Sequence, residues 1–471
     1  MATLRVMTLD GHDAALPQQD VERLSRRMHG PVLRPKDRGY DDARRIYNGM
    51  IDKRPAMIAR CWSPDDVVAA VNFAREHELL VAIRGGGHNG PGLALCDGGL
   101  VIDLSAMKGV EVDHEARTVI AQGGATWGDV DRATHGVGLA TVGGNISTTG
   151  IGGLTLGGGH GYLSPKYGLT IDNLVNAQVV LADGSVERAN AGQNPDLFWA
   201  LRGGGGNFGV VTSFTYKLHP VNSVIAGPTL WPLDRAPDVL RWYRNLVKEC
   251  PSDLYGFFAF LEVPPAPPFP AELHGEKMCG VVWCYSGSRD RADAMFAPVR
   301  DMAPQLFGVH EMPYPALQSA FDPLYPAGLH WYWKGDFVNE LPDEAIAVHM
   351  NHSRVPTMRS TMHLYPVNGA VHDISPDETA WSYREATWSM VIAGVAESAA
   401  SADSARSWAR RYWHALHPYS AGGAYLNFMM EEGRDRIKAT YRHNYERLAK
   451  IKAKYDPANL FRVNQNIPPT E

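Results

Sequence analysis

Apolar residues in the first hundred positions come as short unbroken runs flanking one stretch of helical spacing. Met57–Arg60 reads as a short strand, and Leu80–Ile83 is a continuous apolar run of strand length, the pattern of a buried strand. Between them Ser63 offers an N-cap side chain, Pro64 the first helical position, and Asp65 and Asp66 negative charge in the first turn. A helix is therefore predicted from there to about His77. Leu100–Leu104, Val110–Asp113 and Thr118–Gln122 read as further strands, the last two closed by a turn over His114–Arg117. Asn176–Leu181 and Ser185–Arg188 flank Asp183 and Gly184, residues that tolerate the positive φ of a type I′ hairpin turn.

The pattern changes after Pro220. A helix over Ala236–Lys248, strands at Tyr255–Leu261 and Lys277–Tyr285, a Pro-rich loop at Pro264–Pro270 and a helix over Asp290–Met302 predict a second sheet with helices against it. Thr361–Tyr365, Trp388–Ala393 and Ala424–Met429 are expected to add strands, and Trp331-Tyr332-Trp333-Lys334 reads as sheet core rather than substrate wall. Ile437, Tyr441, Leu448, Ile451 and Tyr455 recur on one face of a single long C-terminal helix. At 471 residues the chain exceeds what one core holds, so two domains of mixed α+β character are expected.

Composition narrows the function. The net charge is −6 with basic residues scattered among acids, which lacks the electrostatic footprint of nucleic-acid binding. No apolar run is long enough to span a bilayer, and Asp10, His12 and Asp13 interrupt the region where an export signal would be apolar, so no membrane partner and a cytoplasmic location are expected. Cys61, Cys96, Cys250, Cys279 and Cys284 form no CxxC pair and are odd in number; they read as core residues, with neither a disulfide framework nor a metal site.

The 47 glycines crowd into three tracts, Gly85–Gly92, Gly143–Gly161 and Gly203–Gly209. Arg84-Gly85-Gly86-Gly87-His88-Asn89-Gly90 contains a formal GxGxxG after a strand. A nicotinamide-binding unit needs a helix opening at the third glycine, whereas Pro91, Gly92 and Cys96-Asp97-Gly98-Gly99 follow here as a loop. A P-loop fails for want of Gly-Lys-Ser/Thr. What remains is consecutive backbone N–H groups able to nest a pyrophosphate, with Gly150 to Gly161 as a second loop of the same character.

These tracts, together with Lys166-Tyr167-Gly168-Leu169, Asp172-Asn173, Asp196 to Gly209, and Tyr455 to Arg462 followed by Asn464-Gln465-Asn466-Ile467, resemble the berberine bridge enzyme-like branch of the vanillyl-alcohol oxidase flavoproteins. The resemblance spans roughly Gly30 to the C-terminus. It implies a two-domain α+β flavoprotein, with residues 1–220 binding FAD, 430–471 returning to that domain, and 221–429 forming an antiparallel-sheet substrate domain. It further implies that His88 is bonded to the flavin 8α-methyl group, and that Arg84, Gly85, Gly86, Gly87, Asn89, Gly90, Thr148, Gly150, Gly152, Gly153, Gly158, Gly159, Asp172, Asn173, Gly209, Val210, Asn464 and Asn466 contact the cofactor. Many relatives carry a second link from a cysteine at the position of Ile146, so a single link, and a correspondingly weaker oxidant, is expected here.

Hydride transfer to a flavin is easier when a base takes the adjacent proton. By the same resemblance Tyr365, in Thr361-Met362-His363-Leu364-Tyr365-Pro366-Val367-Asn368-Gly369, falls at the base position; Val367 and Asn368 depart from the pattern. His363 shares a strand face with Tyr365 and is a base or its partner, and Tyr425-Leu426-Asn427-Phe428 reads as a further substrate-facing strand with Tyr425 and Asn427 on one face. Thr149 stands where the family is thought to control access of oxygen to the flavin. The expected function is oxidation of a small alcohol, phenol, amine or natural-product scaffold with release of hydrogen peroxide. The alternatives are a dehydrogenase with another electron acceptor and a non-catalytic flavin-binding protein.

Overall fold

In the computed structural model, which describes residues 3–470, Leu100–Asp103 lies between Met57–Arg60 and Val81–Arg84 and pairs with both in parallel, and Val32–Leu33 adds an antiparallel edge. Helix Pro64–Glu76 makes the crossover and begins as its sequence predicts, with the Ser63 hydroxyl accepting from Asp66 N at 3.3 Å. Cover on both faces explains the unbroken apolar runs: Met57, Ile58, Ala59, Leu100, Val101 and Ile102 are fully buried.

A five-stranded antiparallel sheet follows in the order Val186–Asn190, Leu174–Val180, Val210–Lys217, Thr118–Gln122, Val110–Asp113. Its hairpin falls where expected, but the turn is not type I′. Val180 pairs with Val186, residues 181–185 form the connection, and of Asp183 and Gly184 only the glycine has positive φ, at 85°. A longer connection needs one left-handed residue rather than two.

The middle of the chain forms an eight-stranded antiparallel sheet, whose main members are Ser223–Pro232, Leu254–Glu262, Lys277–Tyr285, Thr361–Pro366, Trp388–Ala396 and His330–Val338. Helices Ala236–Glu249, Asp343–His352 and Ala399–Leu416 contribute to the core on one face, around the buried indoles of Trp231, Trp283 and Trp388. Cys61, Cys96, Cys279 and Cys284 are buried and Cys250 half-buried, all unbridged. No helix among the described residues is long and apolar enough to cross a membrane.

Two expectations are corrected near the C-terminus. Ala424–Met429 is not a strand: Leu426–Phe428 makes one 3-10 turn. The Tyr425 hydroxyl accepts from Gly159 N at 3.0 Å and the Asn427 amide donates to Leu154 O at 3.2 Å, so side-chain anchors draw this segment onto the second glycine tract instead of into a sheet. The long helix is two helices, Arg434–Tyr441 and Asn444–Tyr455, broken at Arg442 with φ 51°. The apolar period runs through the break because Ile437, Tyr441, Leu448 and Ile451 pack into one core, which they share with Val119, Trp199 and Phe214.

Lys452 locks this returning segment. Its buried ammonium donates to Asp456 Oδ2 at 2.6 Å, to Asn207 O at 2.6 Å and to Phe461 O at 3.0 Å, while the Asp456 carboxylate accepts from Leu460 N and Phe461 N. Burial lowers the Lys452 pKa to about 8 against the opposing pull of Asp456. The third glycine tract, the final helix and the C-terminal loop are thus joined at one cation. Removing one partner of a buried pair leaves an uncompensated charge. Lys452→Ala is accordingly expected to destabilise the protein by about 3–5 kcal/mol, seen as a fall in the denaturant midpoint; an unchanged midpoint would show that Asp456 is adequately solvated without it.

Candidate active site

The first two glycine tracts meet backbone to backbone. A Cβ on Gly86 would lie 2.5 Å from the backbone of Gly150, and one on Gly150 would strike Gly86 in return. Glycine is required at these positions because a peptide chain passes where a side chain would be. Gly90 is likewise pressed on the Trp333 indole and Gly158 on Trp381. Gly153 and Gly206 differ: a Cβ on either would meet nothing within 4 Å beyond its own local backbone, and both border the same large cavity.

That cavity has a volume of about 370 Å³ and lies between the glycine tracts and the eight-stranded sheet. Gly85, Gly86, Gly87, His88 and Asn89 form part of one wall, Gly150, Gly152 and Gly153 another, and Gly209, Asn464 and Gln465 a third. The amide nitrogens of Gly86 to Asn89 donate to no backbone acceptor among the described residues, and Asn464 Oδ1 and Asn466 Oδ1 are buried without a partner. No Asp, Glu, Lys or Arg among the described residues lines the cavity. An anionic ligand here would be held by backbone dipoles and not by side-chain cations.

His88 projects into this space stacked on Tyr47, with ring centroids 3.9 Å apart. Burial lowers its pKa to about 4, so the imidazole is neutral at pH 7, and a contact with the Thr148 backbone opposes the shift. Thr149 Oγ1 lies 3.4 Å from His88 Nδ1. The wall is stitched to the eight-stranded sheet by Asn48, whose amide donates to Gly90 O at 2.7 Å and Trp331 O at 3.0 Å.

Across the cavity, Thr361, His363 and Tyr365 point inward from Thr361–Pro366 while Met362 and Leu364 enter the helix-covered core. The strand's period of two thus places His363 and Tyr365 on one face, as the alternation predicts. Their side chains are joined, His363 Nδ1 to the Tyr365 hydroxyl, at 2.6 Å. Burial pushes the phenol pKa up and the His363 pKa down to about 3, so both are neutral. Tyr425 is raised to about 12 by burial, opposed by the hydrogen bonds that its oxygen accepts from Asn427 and Gly159. Because Leu426–Phe428 is a turn, Tyr425, Leu426, Asn427 and Phe428 all reach the cavity, where a strand would have sent half of them away.

Other predicted site residues lie elsewhere. The Asp172 carboxylate is taken by Arg384 through two bonds of 2.7 Å, and the Asn173 amide donates to Tyr167 O and Leu169 O. Arg84 donates to Ala43 O, Gly159 packs against Thr170, and Val210 is buried behind Gly209 in an apolar core. These residues shape the tracts from behind. In the tryptophan run Trp331 is buried in an apolar cluster with Tyr47 and Val395, as sheet core, and with Trp333 it also lines the cavity, while Tyr332, on the alternate face, packs against the helix-covered core. Sequence reasoning also missed Tyr47, Asn145 and His160, all on the cavity wall. For His160 a signal existed, since it interrupts the second glycine tract.

Residues 55–190 match the family model described as FAD binding domain, and residues 424–468 that described as berberine and berberine like. An FAD-linked oxidoreductase of Dictyostelium discoideum is 31% identical over 460 residues, covering 96% of this chain and 98% of its own length. The chain belongs to the berberine bridge enzyme-like branch of the vanillyl-alcohol oxidase flavoproteins. Among its relatives, (R)-6-hydroxynicotine oxidase of Paenarthrobacter nicotinovorans is 30% identical over 460 residues, covering 94% of this chain and 97% of its own. The crystal structure of 6-hydroxy-D-nicotine oxidase from Arthrobacter nicotinovorans superposes with a TM-score of 0.85 at 28% identity, covering 94% of this chain and 98% of that one. The protein is therefore an FAD-linked oxidoreductase with the two-domain architecture of this family.

Gly206 borders the cavity, and a Cβ there would meet nothing within 4 Å beyond its chain neighbours. Gly206→Val is expected to fold with wild-type circular dichroism yet bind less than about a tenth of the wild-type flavin; full flavin content in this variant would place the cofactor away from Gly206.

Proposed function

We propose that this chain is an oxidase that tethers FAD by one covalent bond to His88 and oxidises a small organic substrate, an alcohol, phenol or amine, with oxygen as the electron acceptor. The supporting observation is the setting of His88: a neutral imidazole enters the cavity from the glycine tract, while Ile146 lines the wall where a second, cysteinyl link would arise. The backbone amides of Gly86 to Asn89 suit a pyrophosphate, Gly153 and Gly206 leave room for a cofactor, and the Asn464 and Asn466 oxygens offer further polar contacts. In this reading residues 1–220 and 430–471 bind FAD, and 221–429 hold the substrate.

Bound FAD supplies a two-electron acceptor for the substrate hydride and passes the electrons to oxygen, yielding hydrogen peroxide. The protein's part is to move the accompanying proton. Burial holds the Tyr365 phenol protonated, so it acts as a relay: its oxygen receives the substrate proton as its own passes to His363 Nδ1, 2.6 Å away. Tyr425, fixed by Gly159 and Asn427, orients the substrate beside that pair. Thr149 leaves oxygen a path that a bulkier side chain would close, and the similarity to 6-hydroxynicotine oxidase supports oxygen as the acceptor.

Acid-precipitated wild-type protein is expected to stay yellow, with His88→Ala releasing its flavin to the supernatant and peptide mapping finding one flavinylated peptide, that of His88. A colourless wild-type pellet would overturn the attachment. In anaerobic stopped flow, Tyr365→Phe should reduce its flavin roughly 100- to 10,000-fold more slowly while keeping the flavin bound. Thr149→Leu should slow reoxidation by oxygen and spare reduction. An unchanged reduction rate in the first variant moves the proton relay away from Tyr365; unchanged reoxidation in the second, or a wild type that forms no peroxide, removes the oxygen gate.

A further inference from the structure

Tyr47 lies against His88 and has no task in the scheme above. Its ring is stacked on the imidazole, with centroids 3.9 Å apart and planes 16° apart, and it also packs with the Trp331 indole at 5.5 Å. Hydrogen bonding holds that imidazole only at its edge, by the contact with the Thr148 backbone and by one of 3.4 Å between Nδ1 and Thr149 Oγ1, which is at the outer limit of a hydrogen bond. Gly86, Gly87 and Gly90 offer no side chain to confine it. Contacts at the edge of a ring leave its tilt open, whereas a second ring laid on its face does not. Both imidazole nitrogens bond within the plane of the ring, so whatever sets that plane sets where a bond to His88 can form.

Tyr47 is itself firmly held. Its amide donates to Gly87 O at 3.0 Å, its carbonyl accepts from Gly328 N at 2.9 Å, and its hydroxyl donates to Tyr325 O at 2.9 Å. The ring is thus anchored both to the residue before His88 and to the loop that leads into strand His330–Val338. The hydroxyl is committed to a carbonyl, and burial, with Tyr325 and Asp322 nearby, raises its pKa. It is therefore no base for the imidazole. What Tyr47 presents to His88 is the face of an aromatic ring.

We propose that Tyr47 is a positioning residue for flavin attachment: the face of its ring holds the imidazole plane of His88 so that the nitrogen carrying the lone pair meets the flavin 8α-methyl carbon. The inference rests on the covalent reading of His88 and adds the residue that aligns it. In the attachment step a C–N bond forms from the imidazole lone pair to the 8α carbon, one C–H bond of the methyl group breaks, and the N–H proton of the other ring nitrogen is released. The electron pair of the broken bond reduces the flavin ring, which takes up both protons and is returned to its oxidised state by oxygen, with hydrogen peroxide as the product.

The test uses full-length protein made in riboflavin-starved cells and then mixed with FAD, and follows the share of bound flavin that stays with the acid-precipitated pellet over time. Tyr47→Phe keeps the ring and should attach flavin within about twofold of the wild-type rate, although loss of the bond to Tyr325 lowers its denaturant midpoint. Tyr47→Leu keeps apolar bulk without a ring; it should still bind FAD but attach it about tenfold more slowly. Tyr47→Met, whose flexible chain fills the same space, should behave as Tyr47→Leu does and replaces it if that variant does not fold. Attachment at the wild-type rate in the ring-less variants would overturn the proposal. So would equal slowing in Tyr47→Phe, because that assigns the effect to the hydroxyl or to stability. A wild-type pellet that never holds flavin overturns the covalent reading and this inference with it, whereas a yellow wild-type pellet beside full-rate attachment in Tyr47→Leu overturns this inference alone.

Discussion

Peptide backbone against peptide backbone at Gly86 and Gly150 is the contact on which the rest of this site depends. Because neither residue has a side chain, the two tracts close to a separation that any Cβ would prevent, and His88, two residues beyond Gly86, is delivered into the cavity beside Thr149. Everything behind the tracts holds that approach in place. Arg384 neutralises Asp172 in the loop following the second tract, Lys452 ties the third tract to the C-terminal loop, and Asn48 fastens the first to the eight-stranded sheet. Several motif residues are therefore structural supports of the cradle rather than parts of its surface.

The cavity so formed has no Asp, Glu, Lys or Arg among the described residues of its wall. Its wall contains three histidines, His88, His160 and His363, and burial keeps all three neutral at pH 7 by lowering their pKa values to about 3 or 4. An anionic cofactor group is then balanced by backbone N–H dipoles, which need no side-chain charge and remain effective where water is excluded. On the opposite wall His363 and Tyr365 are neutral as well. The 2.6 Å bond between His363 and Tyr365 joins these two neutral side chains directly.

Much of this was legible in the chain. The parallel strands, their crossover helix and its Ser63 cap follow from unbroken apolar runs and capping chemistry, and the shared face of His363 and Tyr365 follows from strand alternation, since these are local properties of backbone geometry. The family was readable too, because long glycine tracts in a set order meet a constraint few other folds impose. Local rules failed where a distant contact overrode them. Tyr425 to Phe428 has strand-like residues, yet the hydroxyl of Tyr425 is held by Gly159, 266 positions away, and the segment turns. The C-terminal apolar period continues across a break at Arg442, since one core receives both helices.

Trp331 and Trp333 show the same limit from the other side. Their alternation identifies a strand, but which face of that strand looks onto a cavity depends on the Asn48 staple that brings the first glycine tract against it. The sequence by itself determined the class of fold, the flavoprotein family and the position of the histidine at the head of the cavity, all of which reside in local spacing. Only the tertiary structure decided that, among the described residues, the cavity has no charged wall and His160 is buried with both nitrogens unmet, and that Asp172 serves Arg384, because each is a relation among residues far apart in the chain that no local pattern encodes.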